Sequence, residues 1–145
     1  MWSTVISGES EASPAEVYAL LASPDTWPEW DASIERIELS GQFAAGTRGV
    51  MAFRGGQELP FQITWLEPGA GFTNETPVPG AGVVARVRHE LAATAAGGTE
   101  ITYRVEVDGP DEVAAEAGTA VSADFPEVIA ALAAMAEQRR TGGRR

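Results

Sequence analysis

The chain has 145 residues, which suits one domain with an apolar core and leaves no room for a second. Its net charge is −11 at pH 7, and four of its ten arginines lie in the last seven residues. Because such an acidic surface repels phosphate backbones, the composition argues against nucleic-acid binding. Zero cysteines and a single histidine exclude disulfides and the usual metal-ligand spacings, so no metal is expected.

The expected domain covers residues 1–138, followed by a flexible Arg-rich tail at 139–145. No apolar run approaches the ~20 residues that a membrane helix requires, and the N-terminus has no basic segment leading into an apolar one. We therefore expect a cytoplasmic protein without membrane insertion, either a monomer or a homodimer. No glycine-rich segment opens a helix to cradle a phosphate, so no cofactor is expected.

An apolar alternating segment, Thr4–Ser10, predicts a first strand, and the residues after it predict two short helices. Ser13 has the character of an N-cap, because a proline follows it and Glu16 is placed to complete a capping box. This helix cannot pass Ser23-Pro24, since the residue before a proline avoids the α region. Pro28 predicts a second break before Trp30.

Alternation of apolar and polar residues continues to Asp108 and predicts about seven strands in all. Glycine-rich connections at 55–58 and 96–98 indicate hairpins. After the first strand, the others are expected at Ile34–Leu39, Gly49–Arg54, Leu59–Glu67, Phe72–Thr76, Val83–Thr94 and Thr99–Asp108.

After Gly109 the apolar spacing lengthens to helical values, and a last helix is expected from Ala123 to Glu137. One apolar stripe of this helix should lie on the sheet. Pro126 requires the helix to kink or to begin afresh near Ala123, and a new start is favoured because proline most often occupies a first turn. The stripe consists of Val121, Phe125, Val128, Leu132 and Met135.

Three sequence motifs occur in this order along nearly the whole chain: SPAEVYALLASPDTWPEW, GGTEITY and ADFPEVIAALAAMAE. Together they resemble the START-like superfamily of polyketide cyclases/dehydrases and lipid-transport domains. The resemblance implies an α+β helix-grip fold, in which a curved antiparallel sheet of about seven strands wraps around a long C-terminal helix and encloses an apolar cavity. Members differ in their chemistry, so the fold alone does not identify the function.

Strand alternation indicates which side chains face that cavity. Within Val83–Leu91, His89 falls on the apolar face and the arginines fall on the opposite face. In the next strand Tyr103 falls on the apolar face, so the two should share one interior. The alternating positions from Leu59 to Trp65 are expected to face the same interior. The residues expected to contact a ligand are Met51, Phe53, Phe61, Ile63, Val87, His89, Ile101, Tyr103, Val121 and Phe125.

In the resembling families the second tryptophan of the WPEW phrase packs structurally, which is the expectation for Trp30. Trp27 is expected to be partly exposed at the rim of the cavity. Arg54 is expected to point to solvent, whereas the orientation of Glu75 stays open.

The favoured function is binding of a hydrophobic or polycyclic small molecule in the cavity. The alternative is a cyclase/dehydrase-like enzyme in which His89 and Tyr103 act as acid and base, since an imidazole exchanges a proton near neutral pH and a phenol can stabilise an enolate. The simpler interpretation of the pair is structural, with the histidine bonded to a backbone carbonyl. A weaker alternative is a regulator or stress-related partner protein, which would expose an apolar patch.

Overall fold

The computed structural model describes residues 1–78 and 80–142. The strands are β1 (Trp2–Ser10), β2 (Ile34–Leu39), β3 (Arg48–Phe53), β4 (Glu58–Glu67), β5 (Gly71–Val78), β6 (Val83–Ala93) and β7 (Thr99–Asp108). The helices are α1 (Pro14–Leu21), α2 (Trp27–Trp30), α3 (Asp111–Ser122) and α4 (Phe125–Gly142). The described strands form a seven-stranded antiparallel sheet in the order β1-β7-β6-β5-β4-β3-β2. The predicted α+β helix-grip fold is confirmed.

The connection between β1 and β2 holds the two predicted short helices. The Glu16 amide donates to the Ser13 hydroxyl at 3.2 Å, and the Ser13 amide donates to the Glu16 carboxylate at 2.8 Å, so the predicted capping box is present. A 3-10 turn at Pro24–Thr26 separates α1 from α2. α1 therefore ends before Ser23-Pro24, as predicted, whereas the predicted break at Pro28 is wrong, because Pro28 occupies the first turn of α2 and the helix continues to Trp30.

Two helices, rather than one, bring the chain from β7 to its C-terminus. α3 ends at Ser122 and α4 begins at Phe125, with Pro126 in its first turn, so the favoured new helix start is confirmed. Val121 of the predicted stripe consequently belongs to α3. α4 continues to Gly142, past the expected domain boundary at 138, and residues 143–145 of the expected tail lie outside the described residues.

The inner face of α4 forms the centre of the core. Leu132 is fully buried, and Val128 and Ile129 are almost so. α4 packs mainly on β1 and α1. At the crossing with β1, a Cβ at Gly8 would lie 2.9 Å from the Ile129 side chain, so the absence of a side chain lets the helix approach the sheet closely.

α3 covers the sheet near β7 and β1 and closes a smaller apolar cluster that includes Val105 and Val107. Gly118 of α3 lies directly against the Trp2 ring, where a Cβ would not fit. By length and composition alone, the stretch from Asp111 to Arg139 could cross a membrane, but a core helix passes the same test. Here the stretch is interrupted between α3 and α4, and both helices pack on the sheet.

The expected inward orientation of Trp65 is wrong. The pairing of β4 with β5 shifts register between Ile63 and Trp65, and such a bulge reverses the faces of the residues that follow it. Trp65 lies on the outer face, with the Arg88 guanidinium 3.8 Å above its ring. Leu66 takes the inward position and packs against the main core.

We expect Leu132→Ala to lower the free energy of unfolding by ~2 to 5 kcal/mol, because it leaves a cavity at a fully buried site. Chemical denaturation measures the change, and Gln138→Ala, at an exposed position of the same helix, is the matched control. The control should change stability by no more than about 0.5 kcal/mol. A loss below about 1 kcal/mol for Leu132→Ala would show that this face of α4 is not the core.

Candidate ligand cavity

A cavity of about 440 Å³ lies between the inner face of the sheet and the helices. Its wall is formed by inward-facing residues of β3 to β7, by the end of α2 and by the junction of α3 with α4. Three of its lining residues, Gln57, Ala120 and Ala123, are exposed to solvent. The mouth therefore lies between the β3–β4 connection and the α3–α4 junction.

Most of the residues expected to contact a ligand line this cavity. They are Met51, Phe53, Val87, His89, Tyr103, Val121 and Phe125. The register pairs His89 directly with Tyr103, as strand alternation predicted.

Three expected ligand contacts lie elsewhere, although each is buried. Phe61 packs over Gly49, and Ile101 belongs to the main core beneath the helices. Ile63 is fully buried and lies beside the segment before β3, to which its backbone is bonded: its amide donates to the Thr47 carbonyl at 2.9 Å, and its carbonyl accepts from the Gly46 amide at 2.7 Å. Strand alternation identified their face correctly, but position along the strand decides which inward residues reach the cavity.

A row of rings crosses the sheet from α2 to α4 and forms much of the cavity wall. Trp27 stacks on Phe72 with centroids 5.5 Å apart, and Phe72 stacks on His89 at 4.1 Å. The edge of Tyr103 meets the His89 ring at 4.4 Å, and Phe125 meets Tyr103 at 5.2 Å. Offset and edge contacts of this kind are favourable for aromatic rings, so the row is rigid as well as apolar.

His89 has one ring nitrogen engaged and one available. Its Nδ1 lies 3.1 Å from the Phe72 carbonyl oxygen, which only accepts, so Nδ1 carries the proton and Nε2 is an acceptor. Burial lowers the pKa of His89 from 6.5 to about 4, although the bond to Phe72 opposes this shift. The imidazole is therefore neutral at pH 7.

Two buried hydroxyls on the cavity wall, those of Tyr103 and Thr76, have no hydrogen-bond partner among the described residues. Burial raises the pKa of Tyr103, and the charges of Asp31 and Asp124 raise it further. The phenol thus keeps its proton at neutral pH. A buried hydroxyl without a hydrogen bond lowers stability by about 1 to 3 kcal/mol. A ligand that hydrogen-bonds to these hydroxyls would offset that cost.

Asp31 and Asp124 line the cavity, and the sequence analysis missed both. The Asp31 carboxylate accepts from the Ser33 amide at 3.0 Å and from the Ser33 hydroxyl at 2.6 Å. Burial nevertheless raises the pKa of Asp31, and Asp124 contributes in the same direction. Both residues flank helices in irregular segments, where strand alternation says nothing about orientation. The only available signals were an Asp-x-Ser turn and an Asp just before a helix start.

Both tryptophans of the WPEW phrase are buried, so the expectation of a partly exposed Trp27 is wrong. The Trp27 indole N–H donates to the Leu21 carbonyl at 3.0 Å, which holds the ring inward against Phe72. Arg54 is exposed, as expected, and Glu75 lies on the outer face, 3.9 Å from the Arg86 guanidinium.

The neutral state of His89 predicts a pH-dependent stability. Above pH 6.5 the imidazole is neutral in both folded and unfolded chains, whereas between pH 6.5 and about 4 only the unfolded chain takes up the proton. The free energy of unfolding should therefore fall as pH falls through this window, with His89 accounting for about 3 kcal/mol by pH 4.

His89→Asn keeps a donor for the Phe72 carbonyl but does not titrate, so it isolates this contribution. The stability difference between wild type and variant should shrink by about 3 kcal/mol from pH 7 to pH 4 in chemical denaturation. The other ionisable groups are the same in both proteins, so their contributions cancel in the difference. A difference independent of pH would contradict a buried, neutral His89.

Several solved structures share this architecture. A protein from Mesorhizobium loti superposes with a TM-score of 0.77 at 18% identity, covering 94% of this chain and 98% of that one. A norcoclaurine synthase point mutant from Thalictrum flavum, in complex with a transition-state analogue, gives 0.72 at 15% identity over 96% and 97% of the chains. The di-domain ARO/CYC protein StfQ of the steffimycin biosynthetic pathway gives 0.78 at 15% identity, over 96% of this chain and 51% of StfQ. At these identities the likeness shows the fold alone.

A search of curated proteins found no match. The sequence model of one family, described as polyketide cyclase / dehydrase and lipid transport, matches residues 1–137. This match covers nearly all of the chain, including every residue that lines the cavity. The chain therefore belongs to the polyketide cyclase/dehydrase and lipid transport family.

Proposed function

We propose that this protein binds an apolar or aromatic small molecule in the cavity, and that polar groups on the molecule satisfy the free hydroxyls of the wall. The single observation that carries the proposal is a pair of buried hydroxyls, those of Tyr103 and Thr76, that find no partner in the part of the chain that the structure describes and lie in an otherwise largely apolar wall. The volume of about 440 Å³ falls within the ~300 to 1,000 Å³ of small-molecule sites.

The positions of the two hydroxyls constrain the ligand. Tyr103 is level with Phe72 in the sheet register, and Thr76 lies four residues further along β5. The backbones of the two residues are therefore about 13 Å apart along the strands and two strand spacings of ~4.8 Å apart across the sheet. A flat molecule of two or more fused or linked rings, with a polar group near each end, would reach both hydroxyls while its body lies on the aromatic wall.

A second candidate function, acid–base catalysis on the bound molecule, is favoured by the placement of His89 and Tyr103 side by side on the cavity wall. His89 presents a neutral Nε2 that can accept a proton, and Tyr103 presents a phenol that can donate one. Their rings are in contact at 4.4 Å, so both groups would reach one substrate. The combination suits cyclisation or dehydration of a carbonyl compound, in which a base removes a proton beside a carbonyl whose oxygen accepts from the phenol.

A regulatory role has less support. Among the described residues, the large apolar side chains that are exposed are Met1 and Val5, which belong to the β1 region rather than to the cavity mouth. We therefore make no proposal of a protein partner.

Blocking the mouth should abolish ligand binding without unfolding the protein. Ala120→Trp places a large ring at an exposed lining position, and Ala134→Trp places the same ring at an exposed position of α4 away from the cavity. We expect the neutral fluorescent probe prodan to bind wild type and Ala134→Trp at one saturable site and to bind Ala120→Trp at least about 10-fold more weakly. Non-saturable binding, or equal binding to both variants, would contradict a ligand site in this cavity.

Measuring both affinity and turnover on the same variants distinguishes an enzyme from a ligand carrier. If the protein is an enzyme, His89→Gln should lower turnover of aromatic polyketide-like substrates by ~10²- to 10⁴-fold, because the titrating base is lost. Its affinity for the same compounds should change by no more than about 10-fold, the worth of one hydrogen bond. Tyr103→Phe keeps the ring and tests the phenol in the same way. Activity that survives both substitutions at the wild-type rate would exclude this pair as the acid and base.

A further inference from the structure

The Tyr103 end of the cavity carries two acidic side chains that approach from different segments. Asp31 follows α2 and is 9% exposed, and Asp124 lies between α3 and α4. Both line the cavity, and both are close enough to Tyr103 for their charges to act on its hydroxyl. They also repel each other, since Asp124 disfavours ionisation of Asp31.

No cationic side chain among the described residues of the cavity wall neutralises these carboxylates. The chain has no lysine, and none of the arginines whose side chains are described lines the cavity. Arg54 is bonded to the segment that follows Asp31, but its guanidinium donates to the Ala32 carbonyl at 2.8 Å and its charge is not among those that act on Asp31. His89 is neutral at pH 7. The electrostatic potential at this end of the cavity is therefore negative.

A second observation, independent of the charges, points to a ligand at the same place. Tyr103 is 2% exposed, and its hydroxyl has no partner among the described residues. A phenol oxygen accepts a hydrogen bond, and an N–H that points toward it from the cavity would also lie beside the two carboxylates. The faces of Phe125 and Trp30, which line the same cavity, offer further attraction to a cation.

This chemistry selects among ligand head groups. A carboxylate or phosphate would be repelled by two negative charges in a poorly hydrated site. A metal ion would need more ligands than the site offers, and no group of three or more metal-binding side chains occurs among the described residues. A protonated amine satisfies all the observations, because it supplies both a positive charge and N–H donors.

We propose that the cavity takes an aromatic amine in its protonated form, with the ammonium between Asp31 and Asp124 and the Tyr103 phenol oxygen accepting one of its N–H groups. The aromatic body then lies along the wall formed by Phe72, His89 and Phe125. This inference rests on the proposed ligand-binding function and adds the charge of the ligand to it.

The test uses three probes that share one aromatic body and differ in charge: 2-(1-naphthyl)ethylamine, 2-(1-naphthyl)ethanol and 1-naphthylacetate. Isothermal titration calorimetry at pH 7 gives the dissociation constant of each. We expect the amine to bind wild type at least about 10-fold more tightly than the alcohol, because charge-assisted hydrogen bonds are the stronger ones. The carboxylate should bind most weakly.

The variants Asp31→Asn and Asp124→Asn each remove one charge and keep the side-chain shape, and either should reduce the preference for the amine by about 10-fold without changing alcohol binding. Glu127→Gln is the matched control, because it removes an exposed charge of α4 that does not line the cavity. It should leave the preference intact and so exclude attraction by the overall charge of −11. The alcohol serves as a folding control for each variant.

Three outcomes would overturn the inference. They are equal binding of amine and alcohol to wild type, a preference that survives both Asp substitutions, and a preference lost equally in Glu127→Gln. In each case saturable alcohol binding would leave the proposed ligand-binding function standing. Failure of all three probes, together with failure of prodan, would overturn the function as well.

Discussion

The contact of His89 with Phe72 is the constraint on which the rest of the site depends. The two rings stack at 4.1 Å, and the Phe72 carbonyl accepts from Nδ1 of the same histidine. Phe72 of β5 thus fixes both the ring orientation and the tautomer of His89 in β6. Trp27 and Tyr103 extend the row on either side, which ties α2 to β7. Burial of His89 within this row lowers its pKa and so keeps the imidazole neutral.

The junction of α3 with α4 gives the cavity its opening and one of its two charges. Pro126 suits the first turn of α4, and Ala123 and Asp124 lie between the two helices and line the cavity. Ala117, Ala120 and Val121 of α3 line it as well, at helical spacing with Asp124. One helical face therefore borders the cavity up to the junction, and Asp124 at its end is close enough to Tyr103 for its charge to act on the phenol.

The polar groups of the wall lower stability, and the core offsets that cost. Two buried hydroxyls lack partners among the described residues, and Asp31 is buried close to another carboxylate. Arrangements of this kind are typical of sites that a ligand completes, because natural proteins accept local instability where function requires it. The apolar faces of α4 and α1, centred on Leu132 and Leu20, lie away from these groups and supply much of the compensating burial. The same cavity wall would serve either a ligand carrier or an enzyme.

The sequence by itself determined the strands, the capping box at Ser13, the new helix start near Pro126 and the shared face of His89 and Tyr103. These features depend on local propensity and on the periodicities of strands and helices, which can be recognised in a single sequence. Other features depend on tertiary contacts, which the periodicity of the sequence does not predict. A bulge turned Trp65 outward, an indole hydrogen bond holds Trp27 inward, and the positions of Phe61, Ile63 and Ile101 along their strands place them outside the cavity. Asp31 and Asp124 lie close enough to interact electrostatically only because residues 93 positions apart fold together, and no local pattern in the sequence predicts such proximity.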